Sequence, residues 1–246
     1  MFIHWRTKGI ILRKRERGEA NLLLTIFTED FGKIEVLAKA VRKTASKLRP
    51  AVEPGYCSEI EFIEGKTHKT LTDAVLLQKY AGILSSLAKR KIMFLLLDLV
   101  ADLTGSQAKD EAGFRNLKKT LEELDRFTAK NASALAMLYL YFAWNFLKHE
   151  GYAPELYRCA QCAGKPKKEE LFFSADQGGM VCRVCCSKMK QSSKIPIGAD
   201  ELKALRFFLQ NGWDVAKKLK MGAASLRSLS IISIYYLRFI RSNQKY

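Results

Sequence analysis

Two cysteine pairs organise this sequence: Cys159-Ala-Gln-Cys162 and, nineteen residues later, Cys182-Arg-Val-Cys185, with Cys186 directly after. Each pair can place two thiolates on one turn, and the segment between them lets the turns face each other. The spacing is typical of a tetrahedral four-cysteine zinc site. We therefore predict one structural Zn²⁺ per chain, held by Cys159, Cys162, Cys182 and Cys185, although the neighbouring Cys186 leaves the fourth ligand ambiguous.

Two other interpretations of the cysteines exist. They could be reduced, buried side chains that bind nothing. A redox C-x-x-C site is disfavoured, because two pairs are present and no βαβ pattern surrounds them. Between the pairs, residues 171–174 form an apolar run that ends near Gly178 and Gly179, which predicts a short hairpin leading into the second pair.

The first 80 residues have the pattern of a small β-barrel. Five short runs that favour strands are separated by turn residues: 8–13, 22–27, 33–39, 56–63 and 69–74, the last two joined at a turn over residues 65–68. The second and third runs predict a hairpin around residues 29–32. Five strands in this length are the count of a Greek-key barrel of the OB type, a fold that often binds single-stranded nucleic acid.

The rest of the chain has mainly helical periodicity. Expected helical segments begin with a stripe from Val75 to Leu87, followed by a run over 92–103 that is apolar all round, as in a buried helix. Further helices are predicted over 111–127, from Asn131 to His149, after Pro196 over 199–210, and over 223–241. The predicted fold class is α+β, divided into an OB barrel (1–80), a first helical part (81–152), a zinc-finger insert (153–187) and a last helical part (188–246).

The chain is strongly basic. Its 246 residues contain 42 Lys and Arg against 25 Asp and Glu, a formal charge of +17. Residues 1–80 hold 15 basic and 10 acidic side chains, residues 81–150 hold 10 and 8, and residues 151–246 hold 17 and 7. Such an excess favours a polyanionic partner, nucleic acid before an anionic membrane, over a role in solubility alone.

Nine basic residues of the barrel region are candidates for contacts with DNA phosphates: Arg13, Lys14, Arg15, Arg17, Lys39, Arg42, Lys43, Lys47 and Arg49. The first four are expected at the first turn of the barrel, and the others at the exit of the third strand and in the following loop. The alternative is an ordinary solvated loop. Neither a secretory signal nor a convincing bilayer span is recognisable, so we expect a soluble cytoplasmic protein.

The order of these features resembles the RecO family of bacterial recombination mediators and DNA-repair proteins. The resemblance runs along essentially the whole chain and lies in residues 9–13 with 18–20, 27–33, 38–43, and 151–156 leading into the two cysteine pairs. Ala40 stands where the family usually has glycine. The resemblance implies an N-terminal OB-fold and a helical domain with an inserted zinc finger. It also implies a bacterial protein that is associated with the nucleoid.

The resemblance also implies a function. Proteins of this family bind single- and double-stranded DNA, anneal complementary strands and, together with RecR, help to load RecA onto DNA covered by single-strand-binding protein. A zinc-dependent enzyme that modifies nucleic acid is the alternative. The sequence has neither a His-x-Glu deaminase signature nor a G-x-x-x-x-G-K-[ST] phosphate loop, so we expect no catalytic residues and no enzyme activity.

Overall fold

The computed structural model describes residues 3–65, 67–106, 108–128, 132–165, 171–190 and 194–243. The chain forms two compact units, Met1–Thr128 and Ala129–Tyr246. Lys66 of the predicted turn and Asn131, the expected start of a helix, lie outside the described ranges. The finer division at residues 80, 152 and 187 stays a prediction.

The first unit begins with a closed five-stranded barrel, as predicted. Its strands are β1 (His4–Arg17), β2 (Asn21–Thr28), β3 (Gly32–Ala38), β4 (Cys57–Glu64) and β5 (Lys69–Gln78). They close in the order β1-β2-β3-β5-β4, and β3 and β5 are the parallel pair. Inward-facing apolar residues alternate with outward-facing polar ones, as in β3, where Ile34, Val36 and Ala38 are buried. The barrel is OB-like.

Three helices follow the barrel in this unit: α1 (Ala81–Leu84), α2 (Leu87–Leu103) and α3 (Glu111–Arg126). The side chain of Asp110 caps α3 by accepting a hydrogen bond from the Gly113 N–H at 2.9 Å. Phe114 of α3 meets Phe27 of β2 edge to face, with ring centroids 6.1 Å apart. Aromatic contact therefore joins the helices to the barrel.

Three local expectations for this unit were wrong. The residues from Val75 to Gln78 are strand, because β5 continues its ladder along β4 and pairs Leu76 with Ser58. The helix α2 is not buried on all sides, since Phe94 is 49% exposed. The basic residues 13–17 belong to β1 and not to a turn, because β1 pairs with β2 up to Arg17.

The second unit combines helices with a small sheet. Its helices are α4 (Ala132–His149), α5 (Arg183–Ser187), α6 (Ala199–Gln210), α7 (Trp213–Ala216) and α8 (Ala223–Asn243), and its strands are β6 (Leu171–Ser174), β7 (Gly179–Val181) and β8 (Ile195–Ile197). In its core, the indole of Trp144 stacks on Tyr236 and donates a 2.8 Å hydrogen bond to Ser233 Oγ. Phe173 of β6 contacts both rings edge to face, so the sheet is packed onto α4 and α8.

The predicted hairpin of β6 and β7 is confirmed, but it has a third strand that the sequence did not reveal. Strand β8 pairs with β6 through Ile195, Pro196 and Ile197. Proline disfavours a strand because it has no N–H to donate, yet β8 lies at the edge of the sheet, where that loss is tolerated.

No helix in the described part of the chain is both long and apolar enough to cross a bilayer.

Candidate nucleic-acid interface and metal centre

The four predicted metal ligands lie together in the second unit. The sulfur atoms of Cys159, Cys162, Cys182 and Cys185 are all within 4.8 Å of one another, and those of Cys162 and Cys182 are 4.0 Å apart. A tetrahedral zinc ion with bonds of 2.3 Å would hold its sulfur ligands about 3.8 Å apart. The spacing of the four sulfurs therefore fits a zinc ion.

Backbone hydrogen bonds build both turns of this cluster. The Ala163 N–H donates to the Cys159 carbonyl at 2.8 Å, and the Cys186 N–H donates to the Cys182 carbonyl at 2.8 Å. Ala163 takes a φ of +57°, which closes the first turn tightly. The Ala160 N–H donates to Met180 at 2.8 Å, so the first turn is fixed to β7. The sequence spacing and these turns together bring the four sulfurs to one point.

The thiols of the cluster influence one another. Burial works to raise the pKa of Cys159, but N–H groups of Cys182, Cys162 and Gln161 donate to its sulfur and lower the pKa to about 6. The pKa of Cys185 rises to about 12, first because of its hydrogen bond with Cys182 and then because of burial. Cys159 therefore ionises readily, and its negative charge disfavours ionisation of Cys185. A divalent cation would remove this repulsion and allow all four thiols to ionise.

Cys186 is buried in the same small apolar cluster as Cys159, together with Val181. It differs from the four predicted ligands because its sulfur is not part of the group whose sulfurs lie within 4.8 Å of one another. Cys57 is also buried, in the first unit, where burial raises the pKa of its thiol. The raised pKa of Cys57 keeps this thiol protonated, which makes it a poor metal ligand.

Two polar clefts on the first unit contain basic residues that the sequence singled out. The larger has a volume of about 730 Å³ and opens near β3, which pairs with β5 only at Val36 and Leu37. Its acidic and basic lining residues are Arg13, Arg15, Lys33, Glu35, Glu64, His68 and Lys69. The cleft thus has a basic majority and two carboxylates.

Arg13 has a structural role within this larger cleft. Its guanidinium donates to Asp98 at 2.8 Å and to Asp102 at 2.7 Å, and both acceptors lie on α2. Lys33 likewise donates to the Ala101 carbonyl of α2 at 2.6 Å. Arg15, by contrast, is exposed and follows Arg13 on the same side of β1. Within this cleft, Arg15 is the better candidate for a phosphate contact.

The smaller cleft, of about 460 Å³, lies on the other side of β1. It is lined by Lys14, Glu16, Arg42, Arg49 and Glu53, together with three apolar residues. Lys14 pairs with Glu53, and Arg42 pairs with Glu16 at 3.0 Å. The structure therefore distributes the predicted basic residues over two sides of a strand and neutralises some of them.

The remaining candidates are exposed. Lys39, Lys43 and Lys47 lie on the segment that follows β3, and Arg49 begins the short 3₁₀ turn Arg49–Ala51. Arg17, at the end of β1, donates to His68 at 3.0 Å. An exposed lysine can contact a phosphate without losing a protein partner, so these three lysines are open to a polyanion.

Sequence reasoning missed three basic residues of the larger cleft: Lys33, His68 and Lys69. The sequence pattern places Lys33 in a strand, His68 in a turn and Lys69 at the start of a strand, and it does not group them. The signal that could have found them is the barrel topology, since the β4–β5 turn and the middle strands of an OB barrel border one binding surface.

Comparison with known proteins gives the family. A model described as "Recombination protein O N terminal" matches residues 1–80, and one described as "Recombination protein O C terminal" matches residues 85–239. The chain belongs to the RecO family. The first RecO match covers the barrel, and the second spans α2 to α8 except for its last residues.

Relatives support the RecO assignment over most of the chain. The DNA repair protein RecO of Dehalococcoides mccartyi is 33% identical over 236 residues, which cover 96% of this chain and 90% of the relative. The DNA repair protein RecO of Rubrobacter xylanophilus is 30% identical over 202 residues, covering 82% and 79%. That of a Thermoanaerobacter species is 24% identical over 234 residues, covering 95% and 91%. This is a DNA-repair protein family.

Proposed function

We propose that this chain is a DNA-binding recombination mediator and not an enzyme. It binds single- and double-stranded DNA, anneals complementary strands and, with RecR, helps to load RecA onto DNA coated by single-strand-binding protein. The observation that carries the proposal is an OB-like barrel bearing exposed basic residues in a RecO-family chain. An OB barrel with a basic groove is suited to bind the backbone of a single strand.

Annealing follows from charge. Two single strands repel each other through their phosphates, and a protein that neutralises both can hold them together. The basic excess lies in two parts of the sequence, +5 over residues 1–80 and +10 over residues 151–246. Counterion release would drive assembly, and base pairing would then make the product persist. No nucleotide hydrolysis is needed in this mechanism.

The metal centre has a structural role in this proposal. Cys159, Cys162, Cys182 and Cys185 would fill all four positions of a zinc ion, whereas a catalytic zinc keeps one position open for water or substrate. The bound ion would hold the two turns of the cluster together. Because Phe173 of β6 contacts both Trp144 and Tyr236 edge to face, the ion would also support the helices of the second unit.

The proposal is tested with the full chain, zinc and two complementary fluorescent strands. Single- and double-stranded DNA should both bind, with affinities that fall steeply as salt rises, and annealing should proceed without ATP. Annealing that required ATP would exclude this mechanism. A chain that bound neither form of DNA at low salt would show that the basic barrel has another purpose.

A further inference from the structure

Tyr157 is an exposed aromatic residue that the structure holds rigidly. Its side chain is 52% exposed, two residues before the first cysteine ligand. Its hydroxyl accepts a 2.6 Å hydrogen bond from the amide of Gln210 on α6. The guanidinium of Arg206, also on α6, lies over the ring, 4.7 Å from its centroid. The Tyr157 ring is therefore held by Gln210 and Arg206 without any bound ligand.

The support for Tyr157 is itself fixed. Arg206 donates from Nε at 3.0 Å and from Nη2 to the carbonyl of Leu156, so its guanidinium cannot swing away from the ring. The Glu155 carboxylate accepts the N–H of Tyr157 at 2.7 Å and that of Arg158 at 3.1 Å. These bonds hold the Arg206 guanidinium and the backbone that carries Tyr157. Binding to this ring would therefore cost less conformational entropy than ordering an unsupported side chain.

Gly179 holds the backbone before Tyr157 in place. The Met180 N–H donates to the Glu155 carbonyl at 2.8 Å, and the Glu155 N–H donates to Gly178 at 2.9 Å. A Cβ atom on Gly179 would lie 2.3 Å from the Glu155 carbonyl oxygen. Any side chain at this position would therefore push the backbone of β7 away from the backbone at Glu155. The aromatic ring is thus positioned by the same sheet that carries the second cysteine pair.

The charge around the ring favours a polyanion. Arg206 lies over the ring, and Arg158, the residue after Tyr157, is exposed. Both belong to residues 151–246, which hold 17 basic and 7 acidic side chains. The carboxylate of Glu155 is already occupied by two N–H groups, and they are the main cause of its lowered pKa. An aromatic face next to guanidinium groups matches a nucleobase and its phosphate, which stack on the ring and pair with the cation.

We propose that Tyr157, backed by Arg206, is a stacking platform for one base of single-stranded DNA, with Arg158 contacting the adjacent phosphate. This inference deepens the proposed function and rests on it, because it locates a DNA surface in the second unit. The platform selects single strands, since the bases of a duplex are already stacked and cannot reach the ring.

The test compares full-length, zinc-loaded variants for binding to single- and double-stranded DNA. Tyr157→Leu should weaken single-strand binding by roughly 5- to 150-fold, as expected for the loss of one stacked base, and leave duplex binding and the salt slope unchanged. Tyr157→Phe should retain affinity. Phe94→Leu, which alters an exposed ring on the first unit, is the matched control and should have no effect.

A fluorescent base reports stacking directly. A strand carrying 2-aminopurine should be quenched by the unmodified chain and less so by Tyr157→Leu, at protein concentrations that saturate both. If Tyr157→Leu binds single strands as tightly as the unmodified chain, or loses both forms of DNA equally, the platform is refuted while the proposed function stands. If the unmodified chain binds no DNA, the proposed function fails first.

Discussion

Arg13 of β1 and Asp102 of α2 are joined by a hydrogen-bonded ion pair, with Nη2 and Oδ1 2.7 Å apart. Asp98, one turn earlier on α2, accepts from Nε of the same guanidinium. Burial works to lower the pKa of Arg13, but the hydrogen bonds to Asp102 and Asp98 outweigh it and raise the pKa. A residue that the sequence assigned to DNA binding therefore holds a helix against the barrel.

The ion pair predicts that Arg13 and Arg15 have different roles. Arg13→Gln should destabilise the first unit by about 1 kcal/mol, because it removes the charge that pairs with two partly exposed carboxylates. Arg15→Gln, on the same side of the strand, should leave stability unchanged and weaken DNA binding. Denaturant unfolding and DNA titration of both variants would measure this. Equal effects of the two substitutions on both quantities would contradict it.

Arg42, Lys43 and Lys47 are predicted to contact phosphates. Changing all three to Gln should lower the affinity for unrelated DNA sequences alike and reduce the slope of log K against log salt by up to about 3. Because Arg42 pairs with Glu16, its share should be the smallest. A control with Lys79, Lys91 and Lys119 changed to Gln removes the same charge from exposed sites elsewhere in this unit. If both triple variants have the unmodified slope, the DNA surface lies outside this segment.

The cysteine cluster predicts about one equivalent of zinc in the purified protein. Cys185→Ser should lose the metal, whereas Cys186→Ser should keep it, since the Cys186 sulfur is not part of the four-sulfur group. Cys182→Ser should destabilise the second unit and leave the barrel folded, because the two compact units are separate. Metal analysis and thermal unfolding with unit-specific probes measure these outcomes. A metal-free protein with an intact fold would refute the zinc site.

Ala40 has a left-handed backbone with φ of +55°, a conformation that favours glycine. Its N–H donates to the Asn21 side chain at 2.9 Å, which keeps the turn in this conformation. Ala40→Gly should stabilise the protein by up to about 1 kcal/mol, because glycine removes the steric cost of this conformation. Ala88→Gly, in helix α2, should instead destabilise it. The midpoint of denaturant unfolding would show both signs, and a destabilised Ala40→Gly variant would contradict the argument.

Glu61 makes the barrel sensitive to acid. Hydrogen bonds from His4, Arg6 and Thr72 lower the pKa of this carboxyl from its ordinary value of 4.5 to about 2. Its contribution to stability is therefore complete above pH 4.5 and is lost as the pH falls towards 2. Glu61→Gln should be less stable than the unmodified chain near neutral pH and match it at the acid end. A stability difference that did not change with pH would disprove this linkage.

The sequence by itself determined the features that depend on neighbouring residues. Alternation of apolar and polar residues specified the barrel strands, and the turn that ends in Gly32 with φ of +62° joined β2 to β3. The spacing within each cysteine pair placed both pairs on short turns. These signals are local because a strand repeat or a turn is encoded within a few residues.

Only the tertiary structure decided which residues meet across long separations. Arg13 and Asp102 are 89 residues apart, and Tyr157 and Gln210 are 53 apart. No neighbouring residue distinguishes Arg13 from Arg15. In the fold, Arg13 forms a structural ion pair and Arg15 is an exposed cation. A proline such as Pro196 disfavours a strand, and only the pairing of β8 with the edge of β6 makes a strand possible there. Such contacts form only when the chain brings distant elements together, because charge and packing act through space and not along the sequence.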